Sequence, residues 1–181
     1  MTRATKLADP DVRIDRDNPQ RDDVQQLLRE HLDEMFATSP PESVHALDAS
    51  ALAGPGITFW TARTNEDSPG SGAPLGRGTL PEPGTLLGCG ALKRLDSPKT
   101  AELKSMRTAT AARGRGVATL MLLHIVDCAR AEQLERIYLE TGSDDYFAPA
   151  RRLYARHGFT ECQPFANYTL DPSSVFMVLE L

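Results

Sequence analysis

Along the chain the spacing of apolar residues changes period several times, and each change marks an expected element. Val24, Leu27, Leu28, Leu32, Met35 and Phe36 recur three or four residues apart behind Asp22 and Asp23. This predicts an amphipathic helix whose acidic start suits the positive end of the helix dipole. Pro40 and Pro41 end it, because proline lacks an N–H and clashes with the preceding turn. Val12 to Asp15 reads as a short first strand, and Ile57 to Ala62 and Thr85 to Leu95 read as two more. In the next expected strand, Ala101 to Thr108, a period of two puts Glu102, Lys104, Met106 and Thr108 on one face. Leu103, Ser105 and Arg107 fall on the other. After a glycine-rich break an apolar helical run extends from Val117 to Glu132, followed by a strand, Arg136 to Thr141, around Ile137 and Leu139. Ala150, Leu153, Tyr154 and His157 share one face of a short helix closed by Gly158, and Val175 to Leu181 is a nearly continuous apolar strand, expected inside a sheet.

Strands alternating with helices in the second half predict a sheet covered by helices, a mixed α/β fold. Between Thr64 and Gly84 nine of 21 residues are Gly or Pro, a composition that opposes regular structure. The preceding segment is too short for a complete domain, so residues 64–84 are expected to form a flexible hairpin loop within one domain spanning 1–181. With 20 basic and 25 acidic side chains the net charge is −5, which argues against a general nucleic-acid or membrane-surface binder. No stretch approaches the ~20 apolar residues of a membrane span. Cys89, Cys128 and Cys162 are widely separated and form neither a disulfide framework nor a zinc-ligand pair, and the histidines lack metal spacing. A cytoplasmic protein without a metal is expected.

One segment departs from the overall acidity. Leu103 through Val126 contains no Asp or Glu but includes Lys104, Arg107, Arg113 and Arg115. Within it, Arg113-Gly114-Arg115-Gly116-Val117-Ala118-Thr119 lies between an expected strand and an apolar helix. Free backbone N–H groups and the positive dipole end converge at such a helix start, which suits a phosphate. It is not a Walker loop, because no Gly-Lys-Ser/Thr follows, and Thr119 stands where a dinucleotide fingerprint needs its third glycine.

These residues resemble the GNAT superfamily of N-acetyltransferases, whose cofactor motif Gln/Arg-x-x-Gly-x-Gly/Ala is met by Arg113 through Ala118. A second motif of that family resembles Ala150-Arg151-Arg152-Leu153-Tyr154-Ala155-Arg156-His157-Gly158-Phe159. Residues 39–45 and 171–177 are similar to a bacterial subgroup of small acetyltransferases. The resemblance implies a central mixed, largely antiparallel sheet of six or seven strands with about four flanking helices. It implies acetyl-CoA as donor and CoA as product, with the pyrophosphate held by backbone amides from Arg113 to Thr119. The strand edge at Met106, Arg107 and Thr108 would pair with the pantetheine arm, and that strand would splay from Arg136–Thr141 to admit the thioester. Homodimers are frequent in the family.

By the same resemblance Tyr154 would protonate the leaving thiolate, a task suited to a phenol of pKa near 10. A backbone N–H near Met106 or Arg107 would stabilise the oxyanion. Glu102 matches the position of the glutamate base of histone acetyltransferases, with Glu140 as a competitor and a water chain as a third route. Where the second motif often carries Asn, this chain has Phe147, which with Tyr146 could wall an apolar acceptor pocket. His45, in a Pro-Pro-Glu-Ser-Val-His segment, is a candidate for substrate contact. His31 and His157 read as packing or surface positions and His124 as structural. The expected reaction is direct attack, in a ternary complex, of a primary amine of a small or amino-acid-like molecule on acetyl-CoA. A protein-lysine acceptor and a non-catalytic acyl-CoA-binding module stay open as alternatives.

Overall fold

The structure, a computed structural model, describes residues 11–38, 47–65 and 82–181. His45 and most of the Gly/Pro-rich segment, residues 66–81, lie outside the described residues. Seven strands form one sheet: β1 Val12–Arg16, β2 Ile57–Thr64, β3 Leu86–Arg94, β4 Thr100–Thr108, β5 Arg136–Gly142, β6 Thr160–Glu161 and β7 Ser174–Glu180. Their order is β1-β2-β3-β4-β5-β7-β6. Every neighbouring pair is antiparallel except β4 and β5, which are parallel. The helices are α1 Asp22–Thr38, α2 Ala49–Leu52, α3 Val117–Ala131 and α4 Ala148–Arg156. This is the expected architecture. The two-residue β6 and the single-turn α2 are too short to leave a periodic signal, and neither was expected from the sequence.

Two cores sandwich the sheet. On one face, Val24, Leu27 and Leu28 of α1 and Leu52 of α2 pack on Phe59, Cys89 and Ala91. On the other, α3 contributes Val117, Met121, Leu122, Ile125 and Val126 over Trp60, Ala62, Leu92, Leu103 and Ile137, joined by Tyr154 of α4. The alternation Phe59 down, Trp60 up follows from the period of two in a strand. Burying such side chains contributes on the order of 1.5–3 kcal/mol each, so both layers are firmly attached to the sheet. β2 and β3 are antiparallel neighbours, and the Thr64 N–H donates to the Thr85 carbonyl at 3.0 Å. The end of β2 and the start of β3 therefore meet at one end of the sheet. Among the described residues no helix is long and apolar enough to cross a membrane.

The strand faces of β4 differ from the simple alternation. Ser105 has φ +52°, a left-handed conformation uncommon for a residue with a side chain. At that point the register with β3 slips: Cys89 faces Arg107 while Ala91 faces Lys104. This β-bulge reverses the phase of everything after it. Glu102, Lys104 and Arg107 face α1, whereas Leu103, Met106 and Thr108 face α3. The Met106 sulfur lies over Gly90 beside Met121 and Ile125, and Gly88, opposite Thr108, approaches Val117. Glu102 therefore does not share a face with Met106 and Thr108 as expected. A single inserted residue overturned the period.

Candidate active site

β4 and β5 pair only through Thr100–Arg136, Ala101–Ile137 and Glu102–Tyr138, and then diverge. β3 continues along the other edge of β4, and β7 along the other edge of β5. Beyond Glu102 the facing edges of β4 and β5 thus have no strand partner among the described residues, and a pocket opens between them. It is lined from β4 by Leu103, Lys104, Ser105 and Met106, and from β5 by Glu140, Thr141 and Gly142. His31 and Met35 of α1 wall it on one side of the sheet; Phe147, Ala150 and Tyr154 wall it on the other. The gap therefore joins the two faces of the sheet.

The glycine segment lies at the start of α3. Gly114 and Gly116 have φ of +75° and +81°. A Cβ at either would meet nothing within 4 Å, so the backbone conformation and not crowding requires glycine. Gly116 caps α3, and among the described residues no side-chain cap hydrogen bond is made there. The leading N–H groups of Val117, Ala118 and Thr119 are therefore available to an anion, reinforced by the dipole. Arg113 and Arg107 do not point freely at that space. The Arg107 guanidinium grips Glu34 of α1 with bonds of 2.8 and 2.5 Å, and Arg113 reaches the same carboxylate at 3.1 and 3.2 Å. The Tyr146 hydroxyl is a further donor to Glu34. The Arg107 hydrogen bond, ahead of its charge and that of Arg113, lowers the Glu34 carboxyl to about 2.

Tyr154 is 6% exposed, on the α3 side of the gap. Burial, with the Glu140 charge behind it, pushes the phenol above its ordinary pKa, so it keeps its proton throughout the physiological range. Glu140 lines the pocket and accepts a 2.7 Å hydrogen bond from the Ser174 hydroxyl. Glu102 is 3% exposed and is not among the lining residues. Its carboxylate takes a 2.9 Å ion pair from Lys104 and a 2.6 Å hydrogen bond from the Tyr168 hydroxyl, and Lys104 also reaches that hydroxyl at 2.9 Å. Glu102 thus stands one side chain behind the pocket. Phe147 lines the pocket, its ring edge-on to that of Tyr146 with centroids 5.0 Å apart. Its ring presses on Gly142, where a Cβ would come within 2.2 Å of the ring edge. The carbonyls of Gly142 and Asp144 accept from Arg151 at 2.5 and 2.8 Å, fixing the turn into α4.

His31 is the main departure from the sequence reading. It lines the pocket, and burial, helped by the Arg107 charge, lowers its pKa to about 4, so it is neutral at pH 7. The sequence offers only one clue, the one-turn spacing that stacks His31 beside Met35 on α1. His124, by contrast, packs edge-on to Trp60 at 5.8 Å, as a structural residue would.

Residues 24–159 match the acetyltransferase (GNAT) family. The chain belongs to that family. The uncharacterised N-acetyltransferase YsnE of Bacillus subtilis is 45% identical over 86% of this chain and 90% of its own length. An IAA acetyltransferase of Azospirillum brasilense is 36% identical over 93% and 97%. An acyl-CoA N-acyltransferase structure from Klebsiella pneumoniae superposes with TM-score 0.68 at 24% identity, covering 94% of this chain and 97% of that one. The PaiA N-acetyltransferase of Thermoplasma acidophilum, solved with coenzyme A, shares the fold at TM-score 0.63 and 14% identity over 94% and 99%. This GNAT chain is an N-acetyltransferase, an enzyme that draws its acyl group from a coenzyme A thioester.

Proposed function

We propose that this GNAT enzyme, working as a single domain, moves an acetyl group from acetyl-CoA to a primary amine of a small, amino-acid-like acceptor, by direct attack in a ternary complex. The observation that carries this reading is Tyr154, protonated and buried at the wall of the gap between β4 and β5. The open start of α3 would take the pyrophosphate on the amides from Gly114 to Thr119, with Arg115 nearby. The unpaired β4 edge at Met106, Arg107 and Thr108 would take the pantetheine arm as an added strand. The amine, arriving neutral, attacks the thioester carbon, and the C–S bond breaks as the amide forms. The nitrogen gives up one proton and the sulfur gains one, the latter from Tyr154. Glu140 borders the same pocket and is the carboxylate placed to accept the amine proton, directly or through water, while Glu102 acts through Lys104. Phe147 would bound the acceptor.

Titration calorimetry of acetyl-CoA and CoA tests the reading, with an Arg113→Glu, Gly116→Glu variant beside the parent. Micromolar binding lost in the variant supports it, and release of thiol on adding amines then identifies acceptors. A parent that binds neither ligand overturns it.

A further inference from the structure

One corner of the pocket gathers positive charge and unused donors. Lys104, on the β4 wall, carries an ammonium although its side chain is only 9% exposed. It donates to Glu102 at 2.9 Å and to the Tyr168 hydroxyl at 2.9 Å, and that hydroxyl gives its own proton to Glu102 at 2.6 Å. This triangle uses two of the three ammonium N–H groups. The third has no hydrogen-bond partner among the described residues. Packing does not require the arrangement, since exchanging a buried ion pair for apolar residues is often neutral or stabilising. Lys104 lines the pocket while Glu102 stands behind it, so the pair offers the cavity its cation and withholds its anion.

His31 borders the same pocket from α1, and its ring has no hydrogen-bond partner among the described residues. Neither ring nitrogen is sealed in the core. The field at His31 is positive on balance, because the Arg107 charge outweighs that of Glu34 there. The facing strand β5 carries the opposite charge, Glu140. The pocket therefore sorts charge, with a cation and a spare donor on the β4 and α1 walls and a carboxylate on the β5 wall. A plain hydrocarbon amine would leave Lys104 and His31 unused.

Resting on the acetyl-CoA reading above, we propose that the acceptor is an amine bearing a carboxylate, and that Lys104 and His31 select that carboxylate. The ammonium gives its third N–H, and the neutral imidazole its one N–H, to the carboxylate oxygens; such charge-assisted bonds are the stronger kind. Glu102 and Tyr168 are positioning residues that hold Lys104 at the wall. Repulsion from Glu140 disfavours the reversed orientation, so the amine is left on the β5 side. The carboxylate exchanges no proton or electron pair, and the transfer keeps the balance given above.

The test measures thiol release from acetyl-CoA with a panel of L-amino acids, each beside its carboxamide, with rates referred to the neutral amine. Glu102→Gln, Lys104→Met removes both charges of the pair together, so it is expected to fold, and His31→Phe keeps the ring volume. Melting curves and acetyl-CoA calorimetry check both variants. In the parent at least one acid should exceed its amide about 50-fold in kcat/KM, mainly through KM. That preference should fall to within about threefold in the double variant and drop about tenfold in His31→Phe, with acetyl-CoA affinity within about twofold. A parent that binds acetyl-CoA but prefers the amides, or turns over no acid, overturns the proposal and leaves the donor reading intact. A preference that survives in both variants overturns the roles of Lys104 and His31. A parent that does not bind acetyl-CoA overturns both readings.

Discussion

The two ends of α1 are pinned by ion clusters of different balance. At its start two acids share two cations: Arg63 of β2, 8% exposed, bonds Asp17 at 3.2 Å and Asp23 at 2.6 Å, and the more exposed Arg21 reaches the same carboxylates at 3.8 and 3.6 Å. Toward its end a single acid, Glu34, serves two cations, Arg107 and Arg113, and a tyrosine, Tyr146. The first cluster is balanced in charge and joins α1 to β2 away from the pocket. The second leaves a net positive charge beside the start of α3. Glu34 even lies near the C-terminal end of the helix, where the dipole disfavours an acid by some 0.3–1 kcal/mol. Its carboxyl is nonetheless lowered to about 2, so the guanidinium contacts outweigh the dipole. One end of α1 is thus a structural anchor. The other couples the wall carrying His31 to the strand and loop assigned to the cofactor.

The sharpest way to break this contrast is Arg63→Ala. It leaves Asp17 and Asp23 with only the exposed Arg21 and should cost roughly 3 kcal/mol of stability, read by chemical denaturation, while acetyl-CoA affinity of the folded fraction is unchanged. Tyr154→Phe should lower turnover about 100-fold, equivalent to about 2.7 kcal/mol, with acetyl-CoA affinity intact. A rate equal to the parent would remove Tyr154 as the acid. Glu34→Gln should reverse the Arg63 pattern. Loosening α1 costs about 1 kcal/mol in melting experiments, yet releasing Arg107 and Arg113 should tighten CoA binding several-fold in calorimetry. Weaker binding would mean that Glu34 positions the arginines for the ligand.

The smallest effect separates the two ends by pH. His31 titrates near 6.5 when unfolded and about 4 when folded, so the unfolded chain binds the proton first, and stability falls as pH drops from about 6.5 toward 4. Glu34, ordinarily near 4.5 and here about 2, adds a second loss over that lower interval. Asp17 and Asp23 are also lowered, chiefly by hydrogen bonds to Thr61 and Arg63 against the burial that opposes them, and contribute below 3.8. Melting temperature against pH should show the upper step disappear in His31→Phe and persist in Arg63→Ala.

What could be read in the chain, and what could not, follows from range. The glycine segment before α3 and the Tyr154 helix are written in consecutive residues, and local chemistry is enough to recognise them. The contacts of Glu34 span 73 residues to Arg107, 79 to Arg113 and 112 to Tyr146, and no periodicity encodes them. The same holds for Tyr168 on Glu102, 66 residues apart. The β4 faces failed for a different reason. A bulge depends on the backbone angle of one serine, and the hydrophobic pattern around Ser105 carries no mark of it.

Gly142 and Phe147 bear on the history of the pocket. With the phenylalanine ring in place, any side chain at 142 collides with it. Substitutions at the two positions therefore cannot be acquired in either order. A lineage that enlarges residue 142 must first shrink residue 147, so this wall of the pocket is free to drift in one order and closed to the other.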